Sequence, residues 1–239
     1  MKFHPLLQVS LVLALGCALQ TGLRAEEPAP NTLTAAEKAA GWKLLFDGKT
    51  TQGWRNLGKP TLTGTNGWVV QEGWLKKLPK TRGGDIVSVE AFDNFELNWE
   101  WSFPPKCNNG IKYFVNEKRP GTPGPEYQMI DDALEKQRKH MTGSFYDVLP
   151  PKEHAPVRFA PEVNQARLVV RGNHVEHYLN GEKVLEYDCG SDEVKAALTK
   201  SKFKNAAGFG EKFQGPILLT DHSDECWFRS LKIRELPLH

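Results

Sequence analysis

Two tight-turn pairs constrain the folding of residues 167–188: Gly172-Asn173 and Asn180-Gly181. An Asn-Gly pair between alternating residues predicts a two-residue β-hairpin loop, because both positions tolerate a positive φ. The stretch therefore predicts three antiparallel strands over residues 167–171, 174–179 and 182–187. Since two-residue loops set the register of a hairpin, each side chain can be assigned to one face of the predicted sheet.

One predicted face is mostly apolar and is expected to face a core: Leu168, Val170, Val175, His177, Leu179 and Val184. The other face is charged and aromatic, as a ligand-binding or solvated face would be: Arg167, Val169, Arg171, His174, Glu176, Tyr178, Lys183, Leu185 and Tyr187. Adjacent strand residues point to opposite faces. The register therefore assigns Glu176 to the polar face and His177 to a buried structural role.

The rest of the chain continues the β pattern. Residues 95–103 alternate most clearly, with an apolar set on one side: Phe95, Leu97, Trp99, Trp101 and Phe103. We count about ten short strands, with turn signals about every 8–12 residues, which favours an all-β sandwich. Two or three short helices are expected, one capped by Thr32 or Thr34 and another by Ser191.

The amino terminus has the order of a secretory signal peptide. A basic start, an apolar run over residues 6–19 and a small residue at Ala25 predict cleavage after residue 25. A lipoprotein processed at Cys17 is the less favoured alternative. We therefore expect an exported protein, periplasmic or extracellular, without a transmembrane segment. Residues 26–40 would form an N-terminal extension and residues 41–236 one β-sandwich domain.

Charge and cysteine content narrow the range of partners. Without residues 1–25 the chain has 29 basic and 29 acidic residues, because only Lys2 and Arg24 are lost. This balance argues against nucleic acid as a partner. The remaining cysteines, Cys107, Cys189 and Cys226, fit no zinc pattern. Either two of them pair as a disulfide or all three are small core residues. The oligomeric state is not indicated.

Several segments, taken in order, resemble one family. They are GWKLLFDGKT at 41–50 with Gly53-Trp54, NNGI at 108–111, EYQMID at 126–131, TGSFY at 142–146, VEHYLNG at 175–181, and Asp221-His222 with WFR at 227–229. Together they resemble the 3-keto-disaccharide hydrolase family, formerly a domain of unknown function. The resemblance implies a jelly-roll β-sandwich of the concanavalin or laminin-G type. It also implies a carbohydrate substrate that is already oxidised at carbon 3.

The chain departs from the family pattern at four positions. Asn109 stands where the family has Ser, and Thr220 where it has Gln. Ser223 replaces a Gly, and Ser230 replaces an Asn. Because Thr220 precedes the Asp-His pair, its change bears on substrate choice or on activity.

The implied chemistry needs a base, a cation or donor at the C3 oxygen, and an acid near the leaving oxygen. Proton abstraction at C2, β-elimination at C1 and hydration would give net hydrolysis. The predicted catalytic residues are Glu126, Glu176, Lys112, His222 and Asp221, and the predicted substrate-binding residues are Glu100, Gln128, Tyr146 and Tyr178. Glu126 and Glu176 are base or acid candidates, Lys112 an enolate stabiliser, and Asp221 an orienting partner for His222.

Five of these residues lie on the polar side of strands whose other side is apolar: Glu100, Lys112, Glu126, Gln128 and Glu176. If those sides line one concave sheet, we expect the five to converge. Polar residues on outer strand faces are also commonly just solvated. A non-catalytic, lectin-like carbohydrate-binding module is therefore the alternative function. No cofactor is predicted, although Asp221 with His222 offers a possible divalent-cation site.

Overall fold

The computed structural model describes Met1 and residues 28–63, 67–119, 121 and 123–237. The predicted cleavage after Ala25 and the alternative at Cys17 lie outside this part of the chain, so both stay predictions. Among the helices of the described residues, none is long and apolar enough to cross a bilayer.

Thirteen strands in the described residues build the fold: β1 (Lys43–Leu44), β2 (Trp54–Asn56), β3 (Trp68–Gln71), β4 (Trp74–Lys77), β5 (Ile86–Phe92), β6 (Phe95–Ser102), β7 (Asn108–Lys112), β8 (Glu126–Ile130), β9 (Asn164–Arg171), β10 (His174–Leu179), β11 (Glu182–Asp188), β12 (Gly215–Leu219) and β13 (Cys226–Glu235). The helical segments are short: α1 (Ala35–Ala39), α2 (Asp192–Leu198) and the 3-10 turns Asp132–Leu134 and Arg138–His140.

The strands form two antiparallel sheets. The eight-stranded sheet has the order β11-β10-β9-β6-β13-β4-β3, with β1 added to β13. The five-stranded sheet has the order β2-β5-β12-β7-β8. The predicted all-β jelly-roll sandwich with a few short helices is confirmed. Both predicted helix caps are present, since Thr34 caps α1 in a capping box with Glu37 and Ser191 caps α2.

Alternating side chains of both sheets fill the core between them. On β6 the predicted apolar side is buried, and Leu97 and Trp101 are fully inaccessible. Trp99 of β6 meets Tyr127 of β8 across the sandwich, with ring centroids 5.0 Å apart and an edge-to-face angle of 81°. Such aromatic pairs contribute about 0.5–1.5 kcal/mol beyond the area they bury.

The predicted three-strand meander is present as β9, β10 and β11. Asn180 and Gly181 adopt φ values of 49° and 91°, which is the positive-φ loop that the sequence predicts. The apolar face predicted for this meander is buried, including His177.

The face assignment of Leu185 and Tyr187 was wrong. A β-bulge shifts the register between β10 and β11, so that Leu185 pairs with His177 and Tyr187 pairs with Val175. The bulge inserts Val184 as an extra residue, and one extra residue sends every following side chain to the other face. Leu185 and Tyr187 therefore point into the core, where they are 8% and 4% exposed.

His177 joins the two sheets through a buried hydrogen-bond chain. Its Nδ1–H donates to the Gly143 carbonyl at 2.9 Å, so its Nε2 is left to accept from the Tyr113 hydroxyl at 2.8 Å. The Tyr113 oxygen lies 2.6 Å from the Tyr187 hydroxyl, which donates to it. Burial lowers the pKa of His177 to about 4 and keeps the ring neutral.

The three cysteines of the described chain, Cys107, Cys189 and Cys226, are buried and unpaired. Their burial fits the alternative in which all three are small core residues. Burial raises the pKa of all three thiols, which keeps them protonated.

We predict that His177 makes the protein sensitive to acid. The pKa of His177 is about 4 in the folded protein and 6.5 ordinarily. The contribution of the neutral ring to the free energy of unfolding is therefore complete above pH 6.5 and is lost as the pH falls toward 4. This loss amounts to about 3 kcal/mol. Urea unfolding across this pH range should show a shallower fall in stability for His177→Gln than for the wild type.

Val175→Ala is the matched control, because Val175 lies on the same strand and is fully buried but has no titratable group. It should lower stability while keeping the wild-type pH dependence. Equal slopes for the wild type and His177→Gln would contradict a neutral buried ring.

Candidate active site

A polar row crosses the outer face of the five-stranded sheet at β7 and β8. Lys112 lies directly opposite Glu126, and Gly110 lies opposite Gln128. The intervening Tyr127 and Met129 point into the core and are fully buried. Alternation on two neighbouring strands thus places Lys112, Glu126 and Gln128 on one surface, as the sequence predicts.

Gly110 makes room for the Glu126 side chain. A Cβ built at residue 110 would lie 2.8 Å from Glu126 Cδ and closer still to its Oε1. The Glu126 carboxylate therefore lies flat over the backbone of β7. This contact explains why a glycine is needed in the NNGI segment.

Glu126 is a buried carboxylate held between the ammonium group of Lys112 and the imidazole ring of His222. Its Oε2 lies 3.7 Å from Lys112 Nζ, and its Oε1 lies 3.6 Å from His222 Nε2. Burial alone raises the pKa of Glu126, but the charge of Lys112 and the nearby His222 ring together outweigh it and lower the pKa. Glu126 is therefore ionised at neutral pH and is suited to accept a proton.

Glu126 lies in a pocket of about 390 Å³. The pocket is lined by Asn108, Lys112, Gly121, Gly124, Glu126, Gln128, Tyr146, Lys202, Phe203 and His222. Two buried oxygens in it, Glu126 Oε1 and Gln128 Oε1, lack a hydrogen-bond partner of normal geometry. Unpaired buried acceptors cost about 1–3 kcal/mol each, so a ligand that donates to them would bind favourably.

Tyr146 is positioned by the segment that borders β8. The backbone N–H of Tyr146 donates to the Glu126 carbonyl at 3.1 Å, and that of Gly143 donates to the Gln128 carbonyl at 2.9 Å. Burial and the charge of Glu126 both raise the pKa of Tyr146, which keeps its hydroxyl protonated. Tyr146 therefore offers a proton or a hydrogen bond at the side of the pocket.

Asp147 fastens the loops that carry Tyr146 and Lys202. Its Oδ1 accepts from Lys139 Nζ at 2.7 Å and from His140 Nε2 at 2.8 Å. Its Oδ2 accepts from Ser201 Oγ at 3.0 Å and from the Lys202 backbone N–H at 2.6 Å. Burial raises the pKa of Asp147, but these hydrogen bonds, led by that of Lys139, hold it well below its usual range.

The sequence missed Lys202, Asp85 and Asp147. Lys202 Nζ lies 4.3 Å from the centre of the Tyr146 ring, at the pocket wall. Asp85 has a pKa raised by burial, against the opposing charge of Lys112. Lys202 and Asp85 lie in segments without motif or periodicity. Asp147 directly follows the TGSFY segment, and that adjacency is the signal that could have identified it.

Asp221 does not orient His222 as expected. Its Oδ1 pairs with the fully buried Lys77 Nζ at 2.9 Å and accepts from the Ser223 N–H, while its Oδ2 accepts from the Gly84 N–H. Burial raises the pKa of Asp221, but the hydrogen bond from Lys77 and those from the backbone lower it. Asp221 thus anchors the strand end before His222 through its bonds to Lys77 and to the backbone.

The predicted convergence of five polar residues was wrong. Glu100, Glu176 and Tyr178 lie on the eight-stranded sheet, while Lys112 and Glu126 lie on the outer face of the five-stranded sheet. Glu100 Oε2 accepts from Arg229. The polar sides of strands in different sheets face away from each other because the core lies between them.

On its own outer face, Glu176 is held by neighbours. Lys183 Nζ donates to its Oε1 and the Tyr178 hydroxyl to its Oε2, each at 3.0 Å. Burial raises the pKa of Glu176, but the hydrogen bonds of Lys183 and Tyr178 lower it. His174, Glu176 and Glu186 could together offer ligand atoms within 4.8 Å of one another, but Lys183 already bridges the two carboxylates.

Asn109 and Thr220, two of the residues that depart from the family pattern, are in contact. Asn109 Nδ2 donates to the Thr220 carbonyl at 3.0 Å, and the Thr220 hydroxyl lies 3.4 Å from Asn109 Oδ1. Both are fully buried, so a longer residue at 109 is accommodated by a shorter one at 220. Ser223, which replaces a glycine, adopts the positive φ of 65° that glycine favours.

Comparison with known proteins is consistent with the resemblance in the sequence. The model of the 3-keto-alpha-glucoside-1,2-lyase-like domain matches residues 41–234. A 3-keto-disaccharide hydrolase of Bacteroides thetaiotaomicron is 31% identical, with 83% of this chain and 79% of that protein covered.

Solved structures agree with this assignment. A candidate glycosyl hydrolase from Parabacteroides distasonis ATCC 8503 has a TM-score of 0.77 and 31% identity, covering 87% of this chain and 100% of its own. A second from the same organism, with a TM-score of 0.66 and 24% identity over 82% and 99% of the two chains, shares the fold. The chain therefore belongs to the 3-keto-alpha-glucoside-1,2-lyase-like domain family.

Proposed function

We propose that the protein is an exported enzyme that cleaves 3-keto-glycosides, including 3-keto-disaccharides. The observation that carries the proposal is the ionised, buried Glu126 between Lys112 and His222 in a pocket of about 390 Å³. Family membership and the relative named 3-keto-disaccharide hydrolase support the carbohydrate substrate.

Glu126 acts as the base in this proposal. A ketone at C3 acidifies the C2 proton, which the carboxylate removes while the C2–H electron pair forms an enolate. The lowered pKa of Glu126 keeps it ready to accept the proton. Its Oε1, which lacks a well-formed hydrogen bond, is the atom available to the substrate.

Lys112 stabilises the enolate oxygen at C3. Its ammonium group lies on the same outer face as Glu126 and 3.7 Å from the carboxylate. A fixed cation beside developing negative charge is worth more in a partly enclosed site than in water. Gln128 and Lys202, which line the same pocket, supply further hydrogen bonds to sugar oxygens.

Departure of the aglycone completes the elimination. The enolate electrons re-form the C3 ketone and a C1–C2 double bond as the C1–O bond breaks. The leaving oxygen takes a proton from His222 or Tyr146, both of which line the pocket. Water then adds its hydroxyl to C1 and gives its remaining proton back to His222 or Tyr146, while Glu126 returns its proton to C2, so that the net reaction is hydrolysis.

A glycosidase mechanism that uses Glu126 and Glu176 as a carboxylate pair is not supported. Such pairs lie about 5–10 Å apart on either side of one bond. Glu176 lies instead on the outer face of the other sheet, bonded to Lys183 and Tyr178.

We predict that Glu126→Gln loses most activity, about 100-fold or more in kcat, because the amide cannot accept the proton. The assay follows release of a chromogenic aglycone from a 3-keto-glucoside. Glu176→Gln is the matched control and should retain wild-type turnover, since Glu176 lies on the other sheet.

Equal release by the wild type and Glu126→Gln would remove Glu126 from the mechanism. Binding of the 3-keto-glucoside by the wild type without any release would support the alternative, a non-catalytic carbohydrate-binding module.

We predict that Gly110→Ala disables the site with little loss of stability. The new methyl group would displace the Glu126 carboxylate, whose Cδ lies 2.8 Å from the added Cβ position. Misplacing a catalytic group by about 1 Å costs up to about 100-fold in rate. The kcat of the variant should fall while its thermal unfolding midpoint stays close to that of the wild type. Wild-type kcat in a folded Gly110→Ala protein would argue against this role for Gly110.

We predict that Asp147→Asn lowers kcat/KM about tenfold, because Tyr146 and Lys202 lose the carboxylate that holds their loops. The amide can no longer accept from all four donors, so stability also falls, by about 1–3 kcal/mol. Kinetics should be measured well below the unfolding midpoint. Asp188→Asn, at an exposed carboxylate on β11, is the control and should change neither quantity. Unchanged kinetics in Asp147→Asn would contradict the positioning role.

A further inference from the structure

A second concave site lies on the outer face of the eight-stranded sheet. Register aligns four of its side chains across neighbouring strands: Tyr178 of β10, Arg167 of β9, Asn98 of β6 and Lys232 of β13. With Glu100, Gln165, Pro28, Ala29 and Thr32 they line a groove of about 360 Å³, called here the outer groove. Its volume is within the range of small-molecule sites, about 300–1,000 Å³.

The amino-terminal wall of the outer groove is fixed in place. Asn31 Nδ2 donates to the Gly73 carbonyl at 2.9 Å, and Asn31 Oδ1 accepts from the Ser230 N–H at 2.8 Å. Ser230 adopts a positive φ of 50° beside the bulge in β13, which turns its N–H toward Asn31. The wall is therefore held by side-chain hydrogen bonds to strand β13 and to the turn between β3 and β4.

The charges of the outer groove are already balanced. Each charged side chain lining it has a partner of opposite charge: Glu100 with Arg229, Arg167 with Glu96, and Lys232 with Glu37. A site whose charges are neutralised in this way offers hydrogen bonds without a net attraction for ions. This balance favours a neutral polar ligand over an ionic one.

The hydrogen-bonding groups of the outer groove suit hydroxyls. Asn98 Oδ1 is buried without a hydrogen-bond partner, so it is an acceptor that needs a donor. The Arg167 guanidinium lies 3.7 Å from the centre of the Tyr178 ring, which fixes both planar groups. Amide, guanidinium and carboxylate groups beside an aromatic ring match the hydroxyls and the apolar face of a sugar.

We propose that the outer groove is a second carbohydrate site, which binds a neutral, unoxidised disaccharide or the end of a longer glycan. The outer groove lies on the outer face of the eight-stranded sheet, whereas the Glu126 pocket lies on the outer face of the five-stranded sheet. Binding there does not depend on the chemistry proposed for Glu126. The site would hold the enzyme on a glycan independently of turnover.

The test uses the mature full chain with Glu126→Gln, so that no turnover occurs. Maltose, trehalose and cellobiose are each titrated to high millimolar concentration, and amide shifts are followed by NMR. We expect shifts on β6, β9 and β10 around the outer groove. Asn98→Ala and Tyr178→Ala should each weaken binding about tenfold, the loss of roughly one good hydrogen bond or stacking contact.

His174→Ala, on the same outer face but away from the groove lining, is the control and should leave the affinity unchanged. Asn98→Ala and Tyr178→Ala without the Glu126 change should keep wild-type turnover of a small chromogenic 3-keto-glucoside, which separates this proposal from the catalytic one. Shifts confined to β7 and β8, affinity insensitive to both groove variants, or no binding of any of the three sugars would overturn it.

Discussion

Burial of apolar side chains between two antiparallel sheets is the interaction on which the rest of this structure depends. Each fully buried large apolar side chain stabilises the fold by about 1.5–3 kcal/mol, so a one-residue slip of any strand is prohibitive. Alternation then forces the polar residues of every strand outward. Because the sandwich has two outer faces, polar residues with the same sequence pattern end up on opposite surfaces. Glu126 and Glu176 are the clearest example. Each precedes a buried ring, Tyr127 or His177, yet the two carboxylates lie on opposite outer faces.

The Glu126 pocket shows how the fold keeps a buried carboxylate charged. Desolvation disfavours the ionised form, and the nearby Lys112 and His222 compensate for it. The glycine at 110 lets the carboxylate lie against β7, where a methyl group would clash. Charge and space are thus arranged by two neighbouring strands, whose register is set by the core below them. A carboxylate placed on paired strands is held more rigidly than one on a loop.

The walls of the pocket, unlike Glu126 and Lys112 on neighbouring strands, depend on contacts between residues that are far apart in the chain. Tyr146 and Lys202 are 56 positions apart in the chain, and Asp147 brings their loops together by accepting hydrogen bonds from the Ser201 hydroxyl and the Lys202 backbone N–H. Asp221 plays a similar part at the end of β12, where its bond to buried Lys77 fixes the backbone before His222. These two carboxylates act on the site through the backbone segments they hold, and the pocket is completed only when those segments are in place.

The sequence by itself determined the strand-forming segments, the hairpin at Asn180-Gly181, both helix caps and the burial of His177, because these follow from local φ preferences and period-two alternation. Through alternation and motif it also predicted five site residues that the structure places around one pocket: Glu126, Lys112, Gln128, Tyr146 and His222. Only the tertiary structure decided which sheet each polar face belongs to, and so separated Glu176, Glu100 and Tyr178 from Glu126. It alone revealed the β11 bulge that buries Tyr187, and the roles of Asp147 and Lys202. The physical reason is that alternation specifies a side, whereas the partner strand, the extra residue of a bulge and the meeting of distant loops are set by packing.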